Sequence, residues 1–247
     1  MNKSIGISQL GQNSVNEDSI LIDDELGLYI VADGVGGMTN GDIASSMACE
    51  NIHQSILSGK SLSEAIMLCH ELIQSYAKNN FSQNMATTIA AVFIKDNKYK
   101  LAWVGSSRVY LWDGNLKLLT RDDTFIESLL KYKIITLEQS KKYADKKVIT
   151  QAVGMDSDHL YIHTNKGYLT DQQYLLLTTD GFHQNVDEKS IINTLKKHAG
   201  YSEISENLFF LASENEAKDD MSFIIVQGNK PTIDLGETCP DIIRSWD

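Results

Sequence analysis

Four short apolar runs in succession limit the fold of this chain most strongly: TTIAAVFI (87–94), KYKLAWV (98–104), RVYLW (108–112) and LKLLT (116–120). Each has strand length and is rich in β-branched and aromatic residues. Asp96-Asn97 and Asp113-Gly114 fall between them and suit hairpin turns. Parallel pairing needs a crossover of about a dozen residues, so strands this closely spaced pair antiparallel. Further strands are expected at 4–8, 19–23, 27–32, 160–164, 174–182 and 221–227.

The helical patterns come in pairs rather than one after each strand. A helix is expected over 41–58, with Ile43, Met47, Ile52 and Ile56 on its inner side and Asp42 in its first turn. The next opens on Ser61 and Glu64, which have capping-box spacing, and carries Leu62, Ala65, Ile66, Cys69, Leu72, Ile73 and Tyr76 as a core stripe. A charged helical segment over 124–146, with Thr136 and Gln139 as a second capping box, interrupts the strands as a surface flap. Two more helices are expected near 187–198 and 202–213. The fold class is therefore α+β, two antiparallel sheets between helix pairs, and not a doubly wound parallel sheet.

With 247 residues, 42% of them hydrophobic, the chain can bury a substantial core. Both prolines lie near the C-terminus and there is no Gly/Ser linker. One domain over 1–228 is expected, with 229–247 as a tail. A net charge of −11 disfavours nucleic acid and anionic membranes as partners. Neither a signal-peptide core nor an 18-residue apolar span is present, so a cytoplasmic protein is expected. Cys49, Cys69 and Cys239 show no C-x-x-C spacing and read as free thiols.

Carboxylates recur where apolar strands meet loops. YIVADG ends on Asp33-Gly34, with Gly36 and Gly37 following, and LLLTTDG ends on Asp180-Gly181. Asp219 and Asp220 precede one strand, and Glu17 and Asp18 another. A lone Asp-Gly pair is turn chemistry, and Asp113-Gly114 reads that way. Four acidic strand edges that converge would form an all-oxygen site for hard divalent cations such as Mg²⁺ or Mn²⁺. Two such ions would activate water for displacement at phosphorus. H-E-x-x-H, zinc spacing, P-loop, dinucleotide and G-x-S-x-G patterns are all missing.

NEDS (16–19), VADGVGGM (31–38), MATTIAAVFI (85–94), WVGSSRVYLW (103–112), LTRDDT (119–124), VITQAVG (148–154), LLLTTDGF (175–182) and DDMSFIIV (219–226) occur in one order. In them the chain resembles the metal-dependent Ser/Thr protein phosphatases of the 2C (PPM) family, bacterial type. The resemblance implies a four-layer α-β-β-α sandwich. It implies that Asp33 bridges two Mn²⁺ or Mg²⁺ ions, that the Gly34 carbonyl binds one, and that Asp180 and Asp219 bind the other. Glu17 and Asp18 would hold waters, and a water bridging the ions would attack phosphoserine or phosphothreonine. The implied partner is a phosphoprotein made by a Ser/Thr kinase, and a monomer is expected.

The chain departs from the family pattern at several positions. Asn13 stands at the phosphate-holding arginine, and Ser106 and Gln184 stand at two aspartates of a third metal site. Asp220 replaces an asparagine, and Asp123 and Gln151 replace a His and an Arg. Two ions are thus expected, with Asn13 and Ser106 as neutral substrate contacts. Asp220 and His183 are accessory candidates, and Arg108 is a structural one. The alternatives are a pseudophosphatase acting as a binding or regulatory module, and a hydrolase of small-molecule phosphates.

Overall fold

A computed structural model describes residues 3–35, 40–80, 85–140, 142, 148–157, 159–197, 200–214 and 219–229. Gly36 and Gly37, part of the flap, Cys239 and nearly all of the 229–247 tail lie outside the described residues.

In chain order the elements begin with β1 (Lys3–Gln9), β2 (Asp18–Asp23), β3 (Leu28–Gly34), α1 (Gly41–Leu57) and α2 (Leu62–Asn79). The four middle runs form β4 (Thr87–Lys95), β5 (Lys98–Val104), β6 (Arg108–Trp112) and β7 (Leu116–Leu118). Then come α3 (Phe125–Lys131), α4 (Leu137–Ser140), β8 (His163–Tyr168) and β9 (Tyr174–Thr178). The last are α5 (Asp180–Asn185), α6 (Glu188–Lys196), α7 (Tyr201–Ser213) and β10 (Met221–Gln227). One sheet has the order β1-β10-β9-β6-β7 and the other β2-β3-β4-β5-β8. All their pairings are antiparallel.

Three apolar layers hold four structural layers together. Ile30, Ala32, Ile89 and Val104 pack under α1 and α2. Tyr29, Val31, Leu101, Leu177 and Ile224 fill the space between the sheets. Leu176, Phe223 and Ile225 pack under the helices α5 to α7. Alternate residues of β3 thus serve two cores, which is why its sequence is apolar on both faces. Each large side chain buried this way contributes about 1.5–3 kcal/mol. The α-β-β-α sandwich expected from the resemblance is the fold observed.

Local chemistry accounts for the joints. Asp96 and Asn97 have φ of 51° and 60°, the pair of positive values that a two-residue hairpin turn requires. Ser61 and Glu64 cap α2 reciprocally, with Ser61 N–H donating to Glu64 Oε2 at 2.8 Å and Glu64 N–H to Ser61 Oγ at 3.3 Å. Thr136 and Gln139 do the same at α4, at 2.8 and 3.2 Å.

Several expectations are corrected. The strand expected at 160–164 is β8, three residues later, because the Tyr161 backbone is bonded to the Gln151 side chain instead. The run expected as a strand to 182 leaves the sheet after Thr178 and turns into α5. The described part of the flap holds two short helices rather than one, with Lys133 at φ 56° between them. On α2, Leu72 and Tyr76 are exposed, and His70 is buried in their stead. Its Nδ1 accepts the Gly154 N–H at 2.9 Å. The described cysteines, Cys49 and Cys69, are buried free thiols; burial pushes both up, Cys69 to about 12. No described helix is long and apolar enough to cross a membrane.

Candidate metal centre

The acidic strand edges meet at one end of the sandwich. Asp18 opens β2 directly opposite Asp33 near the end of β3, and Asp33 is opposite Thr88 at the start of β4. Asp33 follows Val31 on the face toward the second sheet. That sheet brings Thr179 and Asp180 from the end of β9, and Asp219 and Asp220 from the start of β10. Thr179 Oγ1 donates to Asp18 Oδ2 at 2.8 Å and closes the gap between the sheets.

Each carboxylate has its own setting. Burial, then the charges of Asp18, Asp180 and Asp219, hold Asp33 well above the usual carboxylate range, and the Asp180 backbone N–H opposes this. Asp18, 8% exposed, is pushed up to about 7 by burial, against hydrogen bonds from Ser222 and Thr179. Glu17 is raised by burial, then by Asp220, Asp42 and Asp219. Asp180 Oδ2 accepts the Gln184 amide at 2.7 Å, so Gln184 steadies a carboxylate instead of adding one.

Asp220 serves the backbone. Its Oδ1 accepts the Gly11 N–H at 2.8 Å and its Oδ2 the Glu17 N–H at 2.7 Å. The carboxylate therefore fixes both ends of the loop that carries Asn13, which is exposed. His183 has Nδ1 3.1 Å from Thr178 Oγ1, against the β9 strand. Arg108 forks onto Asp122 at 2.9 and 2.7 Å, the structural role expected of it.

Glycines permit this convergence. A Cβ on Gly34 would meet the Gly41 backbone at 2.5 Å, and one on Gly181 would meet the Asp220 carbonyl oxygen at 2.0 Å. Gly41 in turn packs on the Glu17 carboxylate, where a Cβ would lie 3.0 Å from Cδ. Ser106, beside Gly105 at φ 96°, is buried, and its Oγ has no hydrogen-bond partner among the described residues. The loop around it is pinned by Asp123, whose Oδ2 accepts the Gly105 N–H and the Gln151 amide at 2.9 and 2.7 Å. Asp123 Oδ1 lies 2.8 Å from His163 Nε2, and Trp103 stacks on that imidazole at 5.0 Å.

Among the described residues, no three His, Cys, Asp or Glu side chains are gathered closely enough to chelate an ion as they stand. Thr179 and Gln184 hold Asp18 and Asp180 in bonds of their own. The donor set nonetheless suits a hard cation. It is all oxygen, and the charges acting most strongly on Asp33 are three further carboxylates.

Reading the sequence missed Thr179 and His163. Thr179 stood in view in LLLTTDG, but its bond to Asp18 spans 161 positions. His163 carried no local signal at all.

The model for "Protein phosphatase 2C" matches residues 5–225. Serine/threonine phosphatase stp of Listeria welshimeri is 28% identical over 214 residues, 82% of this chain and 84% of that protein. The solved structure of serine/threonine phosphatase Stp1 from Staphylococcus aureus is 25% identical with a TM-score of 0.81, covering 92% of this chain and 95% of that one. That of the catalytic domain of PstP, in complex with two manganese ions, shares the fold at 23% identity and a TM-score of 0.77, over 92% and 97% of the two chains.

Proposed function

The chain belongs to the protein phosphatase 2C family, and from that premise we propose that it hydrolyses phosphoserine and phosphothreonine in proteins with the help of two Mn²⁺ or Mg²⁺ ions. The observation that carries this reading is the convergence of Asp18, Asp33, Asp180 and Asp219 from two sheets onto one another's charge. Holding four carboxylates within reach of one another's charge, Asp18 buried and the others half-buried, is costly unless cations neutralise them.

Asp33, Asp180, Asp219 and the Gly34 carbonyl would hold the ions. When bound, the ions would supply the positive charge that activates water and steadies the phosphoryl oxygens during in-line displacement. The protein's own groups do the rest. Glu17 and Asp18 would accept hydrogen bonds from waters at the rim of the site. Thr179 fixes the direction of Asp18, and Asp220 fixes the backbone of Glu17. Asn13 would donate to a phosphate oxygen without the charge of a guanidinium, so substrate binding would be weaker than with a bidentate clamp. The substrate would be the product of a Ser/Thr kinase, in the cytoplasm, and one domain, 1–228, would carry the activity.

A phosphothreonine peptide assayed with Mn²⁺ and with EDTA tests the proposal. Turnover should require Mn²⁺ and fall at least 100-fold in Asp33→Asn. A wild-type chain that binds Mn²⁺ by calorimetry yet turns over no phosphopeptide or phosphoprotein would instead identify a pseudophosphatase.

A further inference from the structure

Strands β5 and β8 turn alternate residues outward beside α2. Lys98, Lys100 and Ala102 come from β5, and Thr164, Lys166 and Tyr168 from β8. Ala102 belongs to the core beneath α1 and α2, which sets the face. Lys100 stands directly opposite Lys166, and Lys98 directly opposite Lys95 of β4. Like charges so placed destabilise a sheet. All four lysines are exposed, and among the described residues none of their ammonium groups is in an ion pair. This occurs in a chain where acids outnumber bases 33 to 22.

Lysines also guard exposed sheet edges. That accounts for Lys166, since β8 ends its sheet, but not for Lys95, Lys98 or Lys100 on the interior strands β4 and β5. Lys100 and Lys166 border a cleft. Ser61, Ser63, Lys100, Ala102, Thr164 and Lys166 line a volume of about 470 Å³. Lys100 lies five residues along β5 from Gly105, roughly 17 Å at about 3.4 Å per residue. It also faces the other side of the sheet from Asp33, so the cleft is separate from the carboxylate centre.

We propose that this cleft binds a phosphorylated segment of the protein substrate, as a docking subsite apart from the carboxylate centre. The inference rests on the function proposed above. The opposed pair Lys100–Lys166 sets two cationic side chains across from each other at the cleft, and a phosphoryl group brings about −1.5 to −2 with three acceptor oxygens. A single carboxylate would leave one ammonium without a counter-charge. Ser63 and Thr164 add hydroxyl donors, and the flexible lysine stems can close on a tetrahedral anion.

The test is an NMR titration of the whole isotope-labelled chain in EDTA. The probes are an eight-residue phosphothreonine peptide, its unphosphorylated form and inorganic phosphate. Amide shifts should appear at Lys100, Ala102, Thr164 and Lys166 with the phosphopeptide, and its affinity should fall at least tenfold in Lys100→Gln/Lys166→Gln. That variant should raise KM for a multiply phosphorylated protein several-fold, while kcat and the hydrolysis of p-nitrophenyl phosphate stay unchanged. No shifts at these residues, or equal binding of the unphosphorylated peptide, would overturn the proposal. So would inorganic phosphate binding as tightly as the peptide, which would mean an adventitious ion only. Binding here without Mn²⁺-dependent turnover would leave the subsite standing and remove the proposed activity. Turnover without binding would do the reverse.

Discussion

Asp18 shows how a single residue can link ionisation to stability. Its folded value of about 7 lies far above the ordinary 3.8. Between those values the folded chain holds a proton that the unfolded chain has released. Stability is therefore greatest below about pH 4 as far as this group is concerned, and it is lost as pH rises toward 7. The metal-free protein should melt at a higher temperature at pH 5 than at pH 7.5, and Asp18→Asn should reduce that difference, leaving the part due to Asp33 and Glu17, as scanning calorimetry at the two pH values would show. The carboxyls of Asp23, Asp113 and Asp187, held low by hydrogen bonds, act in the opposite direction, and only below their ordinary range.

At the scale of elements, the glycines set how closely strand ends and helix starts approach. A methyl at Gly181 would stand 2.0 Å from the Asp220 carbonyl oxygen, so α5 would have to move off β10 and carry Asp180 with it. Gly181→Ala should therefore weaken Mn²⁺ binding at least tenfold in a titration, while the far-UV circular dichroism keeps its shape. The elements themselves were largely legible in the sequence, because period and turn chemistry act locally. Capping at Ser61 and Thr136 and the turn at Asp96-Asn97 were readable for the same reason. Where side chains answered to distant partners, the reading slipped. β8 shifted because Gln151 competes for the Tyr161 backbone. Tyr76 and Leu72 matched the α2 stripe yet stayed exposed, while His70 was buried against Gly154, 84 residues away. The candidate site shows the same division. Its acids stand out in the sequence, and the groups that hold them, Thr179 for Asp18 and Gln184 for Asp180, emerge only when the sheets face each other.

For the whole molecule, the acidic end of the sandwich opposes its own folding until cations arrive. Mn²⁺ at 100 times its dissociation constant should stabilise the protein by about 2.7 kcal/mol. That should raise the melting temperature by roughly 5–10 °C. EDTA should remove the gain and restore the pH dependence set by Asp18. Repulsion among Asp18, Asp33, Asp180 and Asp219 is the cause, so the effect should exceed that of Ca²⁺, whose size fits a compact carboxylate group less well. The pairing of β1 with β10 has a consequence for biosynthesis. Glu17 and Asp18 leave the ribosome about 200 residues before Asp219, yet Glu17 acquires its backbone anchor only from Asp220, and β1 acquires its partner only when β10 is made. A nascent or truncated chain lacking β10 carries most of the acidic residues but neither the anchor of Glu17 nor the partner of β1, so the acidic cluster is assembled only once that strand has been made.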